Sequence, residues 1–210
     1  MRTAARGLEK KVIVGVWVVV GLLIVIVSAV YSQRGADPPG VTEEELRREE
    51  YAVYSALINE RLAQDKSKSV VICEFTTTGG ADELDQRFRY IYGGISGLSR
   101  GTTNNFRRKR EPLRLSGDSF NVDVKCIVMS QEEERELFGD SRGWERFYEK
   151  YPASSGLTRL SRVGFNRRMT EALVYAGNQS GGLSGLGVFY LVTKENKVWR
   201  VSGELPVWIS

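Results

Sequence analysis

The 210-residue chain has no histidine, two cysteines and a formal net charge of +4. The missing imidazole excludes Ser-His-Asp and Cys-His nucleophile systems and histidine metal sites, and two separated cysteines cannot form a CxxC motif. Residues 1–34 carry the whole basic excess, because the remainder holds 25 basic and 25 acidic groups. A neutral domain has no general attraction to nucleic acid, so we expect no nucleic-acid partner.

Residues 12–31 are predicted to form a transmembrane helix. The stretch from Val12 to Val30 includes Trp17 and contains no charged residue. At a rise of ~1.5 Å per residue it would be about 28 Å long, close to the ~30 Å hydrocarbon core of a bilayer. The sequence therefore predicts one integral membrane anchor.

The residues before this segment predict its orientation. Residues 1–11 hold four basic side chains and one acidic side chain, and basic residues remain on the cytoplasmic side. We therefore expect a cytoplasmic tail at 1–11 and an extracytoplasmic C-terminal domain. The alternative is a signal peptide cleaved near Ala29, which would leave a secreted protein. The apolar stretch is longer than the 7–15 residues usual for signal peptides, which favours an uncleaved anchor.

A short linker over residues 32–42 contains the pair Pro38-Pro39 and is followed by one domain, residues 43–210. Thr42 stands three residues before Glu45, the spacing of a capping box at a helix start. The apolar residues that follow have mostly helical spacing. They predict an amphipathic helix of about five turns with one face on a sheet.

The middle of the chain alternates between strand-like and helix-like segments. Runs of β-branched and apolar residues predict strands, and capping residues or aromatic spacing predict helices. The predicted strands are 70–77 and 120–129, and the predicted helices are 82–92, 130–139 and 144–151. Residues 93–110 are rich in glycine, asparagine and basic residues and are predicted to be irregular.

The C-terminal third predicts four strands, at 156–166, 171–178, 186–194 and 198–209. The short turns between them indicate an antiparallel meander. The fold class is therefore expected to be α+β, with an antiparallel sheet packed by helices.

Both cysteines lie in apolar, strand-like runs. In an oxidising compartment Cys73 and Cys126 could form a disulfide; the other interpretation, slightly favoured, is two buried thiols.

Basic residues form two clusters that could contact anionic lipid head groups or an acidic partner. They could equally be solvated surface, balanced by the acidic runs of the same domain. The candidate patch consists of Arg107, Arg108, Lys109, Arg110, Arg162, Arg167 and Arg168.

No catalytic, cofactor-binding or metal-binding residue is assigned. Glu74, Asp123 and Glu171 lie in or beside predicted strands, but nothing in the sequence shows that any two converge. The glycine-rich stretch 181–187 lacks the Lys-Ser or Lys-Thr of a P-loop and the spacing of a dinucleotide fingerprint, so it is interpreted as a turn. These absences favour a protein that is not an enzyme and has no cofactor.

Several sequence blocks resemble a group of uncharacterised bacterial membrane-anchored or exported proteins. The blocks are GWERFYEKYP at 143–152, SRVGFN at 161–166, ALVY at 172–175 and WIS at 208–210. This resemblance implies an N-terminal anchor or signal and one domain ending in the meander, and it implies no activity. A weaker similarity, carried by the sheet ending at 194–199, is to the NTF2-like cone, which implies a pocket for a small molecule.

The expected function is a membrane-tethered, non-catalytic protein-interaction domain or an accessory subunit of an envelope complex. Its protein partner is not identified by the sequence. The alternative is an NTF2-like pocket domain that binds or transforms a small molecule, and a third hypothesis is adhesion to lipid through the arginine clusters.

Overall fold

The computed structural model describes residues 37–63 and 69–210. The predicted tail at 1–11, the predicted transmembrane segment at 12–31 with Val12, Trp17 and Val30, and residues 32–36 of the linker lie outside the described residues. Within the described ranges, no helix combines the length and the apolar character needed to cross a membrane.

The described residues form an α+β fold with six α-helices and a seven-stranded mixed sheet. The helices are α1 (Glu43–Leu57), α2 (Gly79–Gln86), α3 (Phe88–Gly94), α4 (Arg100–Arg108), α5 (Gln131–Leu137) and α6 (Gly143–Lys150). The strands are β1 (Ser69–Cys73), β2 (Lys125–Met129), β3 (Ser154–Leu160), β4 (Gly164–Phe165), β5 (Glu171–Gly181), β6 (Ser184–Glu195) and β7 (Val198–Ile209). A π-helical turn, Ile58–Leu62, extends α1.

The strand order is β2-β1-β3-β5-β6-β7, and the short strand β4 also pairs with β5. Strands β3, β5, β6 and β7 pair antiparallel in sequence order, which confirms the predicted meander. Strand β1, however, pairs in parallel with both β2 and β3. The expectation of an antiparallel sheet was therefore wrong for this part. Helices α2–α4 connect β1 to β2, and helices α5–α6 connect β2 to β3. Parallel strands require long crossovers of this kind.

Helices cover both faces of the sheet. Because successive strand side chains point to opposite faces, Val70 and Ile72 pack against α1, whereas Val71 and Cys73 pack against α6. Helices α2, α3 and α4 pack on that second face over the antiparallel strands, around Phe189. The parallel strand β1 is buried along its whole length for this reason.

Helix α1 begins as predicted. The Thr42 side chain accepts a hydrogen bond from the Glu45 backbone N–H, and the Glu45 side chain accepts one from the Thr42 N–H, which completes the capping box. Its sheet-facing residues Val53, Leu57 and Ile58 are fully buried. The predicted amphipathic helix is confirmed.

The segment 93–110 is not irregular as predicted, because it contains α4. Ser99 caps this helix by accepting from the Thr102 N–H. The buried face of α4 is largely polar: Thr102, Thr103 and Asn105 are buried beside Phe106. Hydrophobic periodicity was therefore too weak to reveal the helix.

The described chain begins at one end of the sheet, here called the entry end. Asp37 accepts a hydrogen bond from the Asn105 side chain, which in turn accepts one from the Phe165 N–H. The turn 166–170 follows directly, and the Thr170 carbonyl accepts from the Lys194 N–H, beside the β6–β7 turn. The β5–β6 turn lies at the opposite end of β6, about 36 Å away for a twelve-residue strand.

Candidate functional site

An open groove with a volume of about 980 Å³ runs along the outer side of α1. It lies between the loop 116–123 and the β6–β7 turn, and we call it the helix groove. Its lining residues are Thr42, Glu44, Glu45, Arg47, Arg48, Tyr51, Ala52, Ser55, Ala56, Asn59, Glu60, Ser119, Asn121, Lys197, Val198, Trp199 and Arg200.

One wall of the helix groove is the loop 116–123, which α1 holds through side chains spaced four residues apart. The Ser116 N–H donates to the Tyr51 hydroxyl at 2.8 Å, and the Asn121 N–H donates to the Ser55 hydroxyl at 2.9 Å. One turn further on, the Asn59 side chain pairs with the backbone of the same loop. Residues at this spacing share one face of a helix, so the wall is fixed before any partner binds.

The other wall is the start of β7, held by two carboxylates of α1 and its π-helical extension. Glu49 accepts from the Lys194 ammonium at 2.7 and 2.8 Å and from the Trp199 indole N–H at 2.7 Å. Glu60 accepts from the Val201 N–H at 2.9 Å and forms an ion pair with Arg200 at 3.1 Å. These contacts also satisfy an outward backbone donor of the edge strand.

The floor of the helix groove consists of small side chains between the two walls. Ala52 is exposed and Ala56 is half-buried, one helical turn apart, and Tyr51 and Ser55 lie beside them. A surface of small residues at this spacing allows another helix to approach closely. The floor therefore suits a packed segment more than a small polar molecule.

Two carboxylates that line the helix groove are engaged in contacts within the fold. Hydrogen bonds from the Thr42 backbone and side chain lower the pKa of Glu45, so this carboxyl remains ionised and engaged in its cap. Glu60 is likewise held by β7. Over the described ranges, no three His, Cys, Asp or Glu side chains are grouped so that they could hold a metal ion.

A second, smaller pocket of about 390 Å³ opens at the entry end, beside the start of α1. Arg162, Lys109 and Asp37 are among its lining residues. Arg162 is bonded to the fully buried carboxylate of Glu50 at 2.9 Å. This pocket holds charges of both signs that are already paired with one another.

The structure divides the predicted basic patch into paired and exposed groups. Four of its seven members form ion pairs inside the domain: Arg107 with Asp85, Arg110 with Asp82 and Asp85, Lys109 with Asp37, and Arg162 with Glu50. Arg108 lines the pocket at the entry end. Arg167 and Arg168 are exposed in the turn between β4 and β5, with no ion-pair partner in the described part of the chain.

The two cysteines are free thiols on neighbouring parallel strands. Cys126 is opposite Val70 and Cys73 is opposite Met129, so the cysteines are three positions apart along the pair. That offset is about 10 Å, and the two side chains pack on opposite faces of the sheet. A disulfide needs Cα atoms no more than about 7 Å apart, so this geometry excludes one between them. Burial raises the pKa of Cys73 to about 12 and that of Cys126 to about 11.

The three candidate carboxylates lie in separate surroundings. Glu74 accepts from the Arg114 guanidinium at 2.7 Å and from the Gln131 N–H at 3.1 Å. Glu171 accepts from the Ser99 N–H and the Thr102 hydroxyl at the start of α4. Asp123 is exposed before β2. Glu74 and Glu171 each hold two segments of the chain together, and the structure does not assemble the three carboxylates into a catalytic pair.

Sequence reasoning missed most of the groove. The exposed alanines of α1 and the hydroxyl of Ser55 were not singled out. The spacing of Tyr51, Ser55 and Asn59 at four-residue intervals was visible in the sequence. It could have indicated a polar face that binds another segment of the chain.

Two features of the structure bear on the NTF2-like alternative, which stays a prediction. The space between α1 and the sheet is filled by Val53, Tyr54 and Leu57, which have no exposed surface. The parallel strands β1–β3 also differ from the antiparallel cone that the similarity implied.

Searches with the sequence and the structure found no matching family model, no similar curated protein and no similar solved structure. The interpretation of the site therefore depends on its geometry alone.

Proposed function

We propose that this chain is a membrane-tethered, non-catalytic interaction domain, an accessory subunit of an envelope complex whose protein partner binds the helix groove. The observation that carries the proposal is the groove itself, with its small-residue floor and two walls fixed by hydrogen bonds from α1. The charge-free segment 12–31 would provide the tether.

The partner segment that best fits the helix groove is an amphipathic helix. Its apolar stripe would pack on Ala52 and Ala56, as in other helix-in-groove complexes. Acidic side chains beside that stripe would face Arg48, which lines the groove. Helix α1 is about 22 Å long for fifteen residues, so about four turns of a partner helix could lie along it.

The proposed location places residues 1–11 in the cytoplasm and the folded domain outside it. A chain cleaved near Ala29 would instead be secreted. Cell fractionation with alkaline carbonate extraction distinguishes the tethered chain from the secreted chain. A tethered chain stays with the membranes, whereas a cleaved chain is recovered in solution with a lower mass.

Ala52→Arg tests the groove. Arginine is a good helix former and position 52 is exposed, so the fold should tolerate the change. The long side chain would cover the floor, and we expect at least tenfold less of a stoichiometric partner after purification of the full-length protein in mild detergent. The control is Gln86→Arg, which adds the same charge at an exposed position on α2.

Mass spectrometry of both preparations, together with a photo-crosslinking residue at position 52 or 86, gives the comparison. Crosslinking to one protein from position 52 but not from position 86, with loss of that protein in Ala52→Arg, supports the proposal. A companion protein retained equally by both variants, or a full-length protein that purifies alone, contradicts it.

A further inference from the structure

Three exposed cationic residues lie on two neighbouring turns at the entry end. Arg167 and Arg168 are in the β4–β5 turn, and Lys197 is in the β6–β7 turn. The turns are adjacent because β5 and β6 pair, with Glu171 opposite Thr193. Glu195 is the acidic residue of these two turns, so the surface has a net positive charge. We call Arg167, Arg168 and Lys197 the cationic corner.

Both turns have a defined backbone. The Asn166 side chain accepts from the Thr170 N–H at 2.9 Å and donates to the Thr170 hydroxyl at 3.0 Å. In the other turn, Asn196 and Lys197 have φ values of 50° and 68°, as in a two-residue type I′ hairpin turn. The three cations therefore extend from fixed positions on the domain.

The cationic corner lies on the side from which the tether arrives. Asp37 reaches the start of the β4–β5 turn through two hydrogen bonds, by way of Asn105 and Phe165. Residues 32–36 separate Asp37 from the proposed anchor, and the six steps of chain from residue 31 to Asp37 span at most about 22 Å when extended. If the anchor crosses the bilayer, the entry end must stay within that distance of the membrane surface.

We infer that the cationic corner binds the head groups of anionic phospholipids and holds the entry end of the domain against the membrane. This inference rests on the proposed tether. An anionic membrane surface attracts nearby lysine and arginine side chains, and the attraction acts over about a Debye length, ~10 Å at moderate salt. Neither Arg167 nor Arg168 forms an ion pair with another described residue. No acidic side chain of the described domain therefore competes with the head groups for them.

Contact between the cationic corner and the membrane would determine how the helix groove is oriented relative to the membrane. Helix α1 begins at Glu43 beside the entry end, and Thr42 and Lys197 line the same groove. A docked domain would keep the near end of the groove at the membrane and the β5–β6 turn at the far end of β6, at most about 36 Å away. A partner helix emerging from the same membrane could then enter the groove directly.

The test uses the full-length protein in lipid nanodiscs. Glu195→Cys, labelled with a dye whose emission rises when it leaves water, reports contact at the corner. The protein without Glu195→Cys, treated with the same dye, gives the background from the native thiols Cys73 and Cys126. We expect higher emission in discs that contain phosphatidylglycerol than in discs of phosphatidylcholine alone. The variant that also carries Arg167→Gln and Arg168→Gln should have a ratio of docked to undocked protein more than tenfold lower, because each cation contributes a factor of about five to that ratio.

Lys125→Gln with Lys150→Gln is the charge-matched control, because Lys125 begins β2 and both lysines line a pocket at the other end of the sheet. That control should keep the lipid dependence, and high salt should remove it. If the emission does not depend on lipid charge while the chain remains in the discs, the lipid contact is contradicted and the proposed tether is not. A chain that is not retained in the discs overturns both.

Discussion

At the scale of single residues, the most consequential contact is the ion pair between Glu50 and Arg162. Glu50 is fully buried on α1, and its Oε1 accepts from the Arg162 guanidinium at 2.9 Å and from the Val163 N–H at 3.3 Å. Burial alone would lower the pKa of Arg162, but the Glu50 carboxylate raises it. Arg162 also donates to the Glu111 carbonyl, so one side chain joins three segments of the chain.

Removing one partner of this pair should be much more costly than removing both. Arg162→Met leaves a buried carboxylate without its counter-ion, and we expect it to lower the free energy of unfolding by about 3 kcal/mol. Glu50→Leu should cost a similar amount, whereas the double variant should recover most of the loss. Denaturant unfolding of the purified full-length protein, followed by tryptophan fluorescence, measures these values.

The matched control is Arg47→Met. Arg47 pairs with Glu43 at 3.3 Å on the surface, and both side chains are largely exposed, so its loss should cost less than about 0.5 kcal/mol. If the double variant at Glu50 and Arg162 lost the sum of the two single effects, the pair would not be the stabilising unit.

The sequence did not predict this pair. Arg162 was assigned to a surface patch because it lies near other arginines in the chain, and Glu50 was one of several acidic residues on a helix. Their contact joins residues 112 positions apart, and local spacing contains no information about that distance.

At the scale of elements, the packing of α4 against β4 depends on a glycine. A Cβ at Gly164 would lie 2.4 Å from the Cβ of Phe106 and 2.5 Å from its backbone nitrogen. The helix backbone therefore touches the strand directly, and Asn105 bonds to the neighbouring Phe165 N–H. This contact positions both the β4–β5 turn and the residues that hold Asp37.

Gly164→Ala should therefore separate α4 from the sheet. The obstruction is largely helix backbone, which cannot move like the end of a side chain, and we expect a loss of about 3 kcal/mol in the free energy of unfolding. Gly93→Ala is the control, because a Cβ there meets nothing within 4 Å inside α3; it should be neutral or stabilising by up to about 1 kcal/mol. Thermal unfolding of the two variants gives the comparison, and equal melting temperatures would refute this account of α4.

At the scale of the whole molecule, the entry end lies beside the cationic corner and the near end of the helix groove, and it is where the proposed tether would join the domain. Asp37 is the first described residue, and it binds Lys109 at 2.5 Å and Asn105 at 3.1 Å. Burial alone would raise the pKa of Asp37, but the hydrogen bonds from Lys109 and Asn105 lower it below its ordinary value of 3.8. The ionised carboxylate therefore favours the attached state of the entry segment.

This shift predicts a pH dependence for the attachment. A carboxyl group whose pKa is lowered by folding contributes stability above its ordinary pKa and loses it as the pH falls through the lowered value. Asp37→Asn should therefore lower the melting temperature near neutral pH, by an amount equivalent to less than about 1 kcal/mol because the side chain is half-exposed. The difference from the unmodified protein should shrink as the pH falls below about 4. A difference that stays constant down to pH 3 would show that the carboxylate charge is not responsible.

The sequence by itself determined the elements that depend on near neighbours. The capping box of Thr42 and Glu45, the start of α5 at Ser130 and the alternating strands of the meander were all predicted. Their signals are hydrogen bonds and periodicities that act within a few residues, so one sequence is sufficient to reveal them.

Only the tertiary structure decided the rest. Parallel pairing of β1 with β2 and β3 places the cysteines on opposite faces of the sheet. The polar face of α4 is buried because Glu171, at the start of β5, accepts hydrogen bonds from Ser99 and Thr102. The helix groove and the cationic corner likewise form where segments far apart in the chain come together. Such contacts depend on which elements pair and in which direction, and that choice follows from the packing of the whole core.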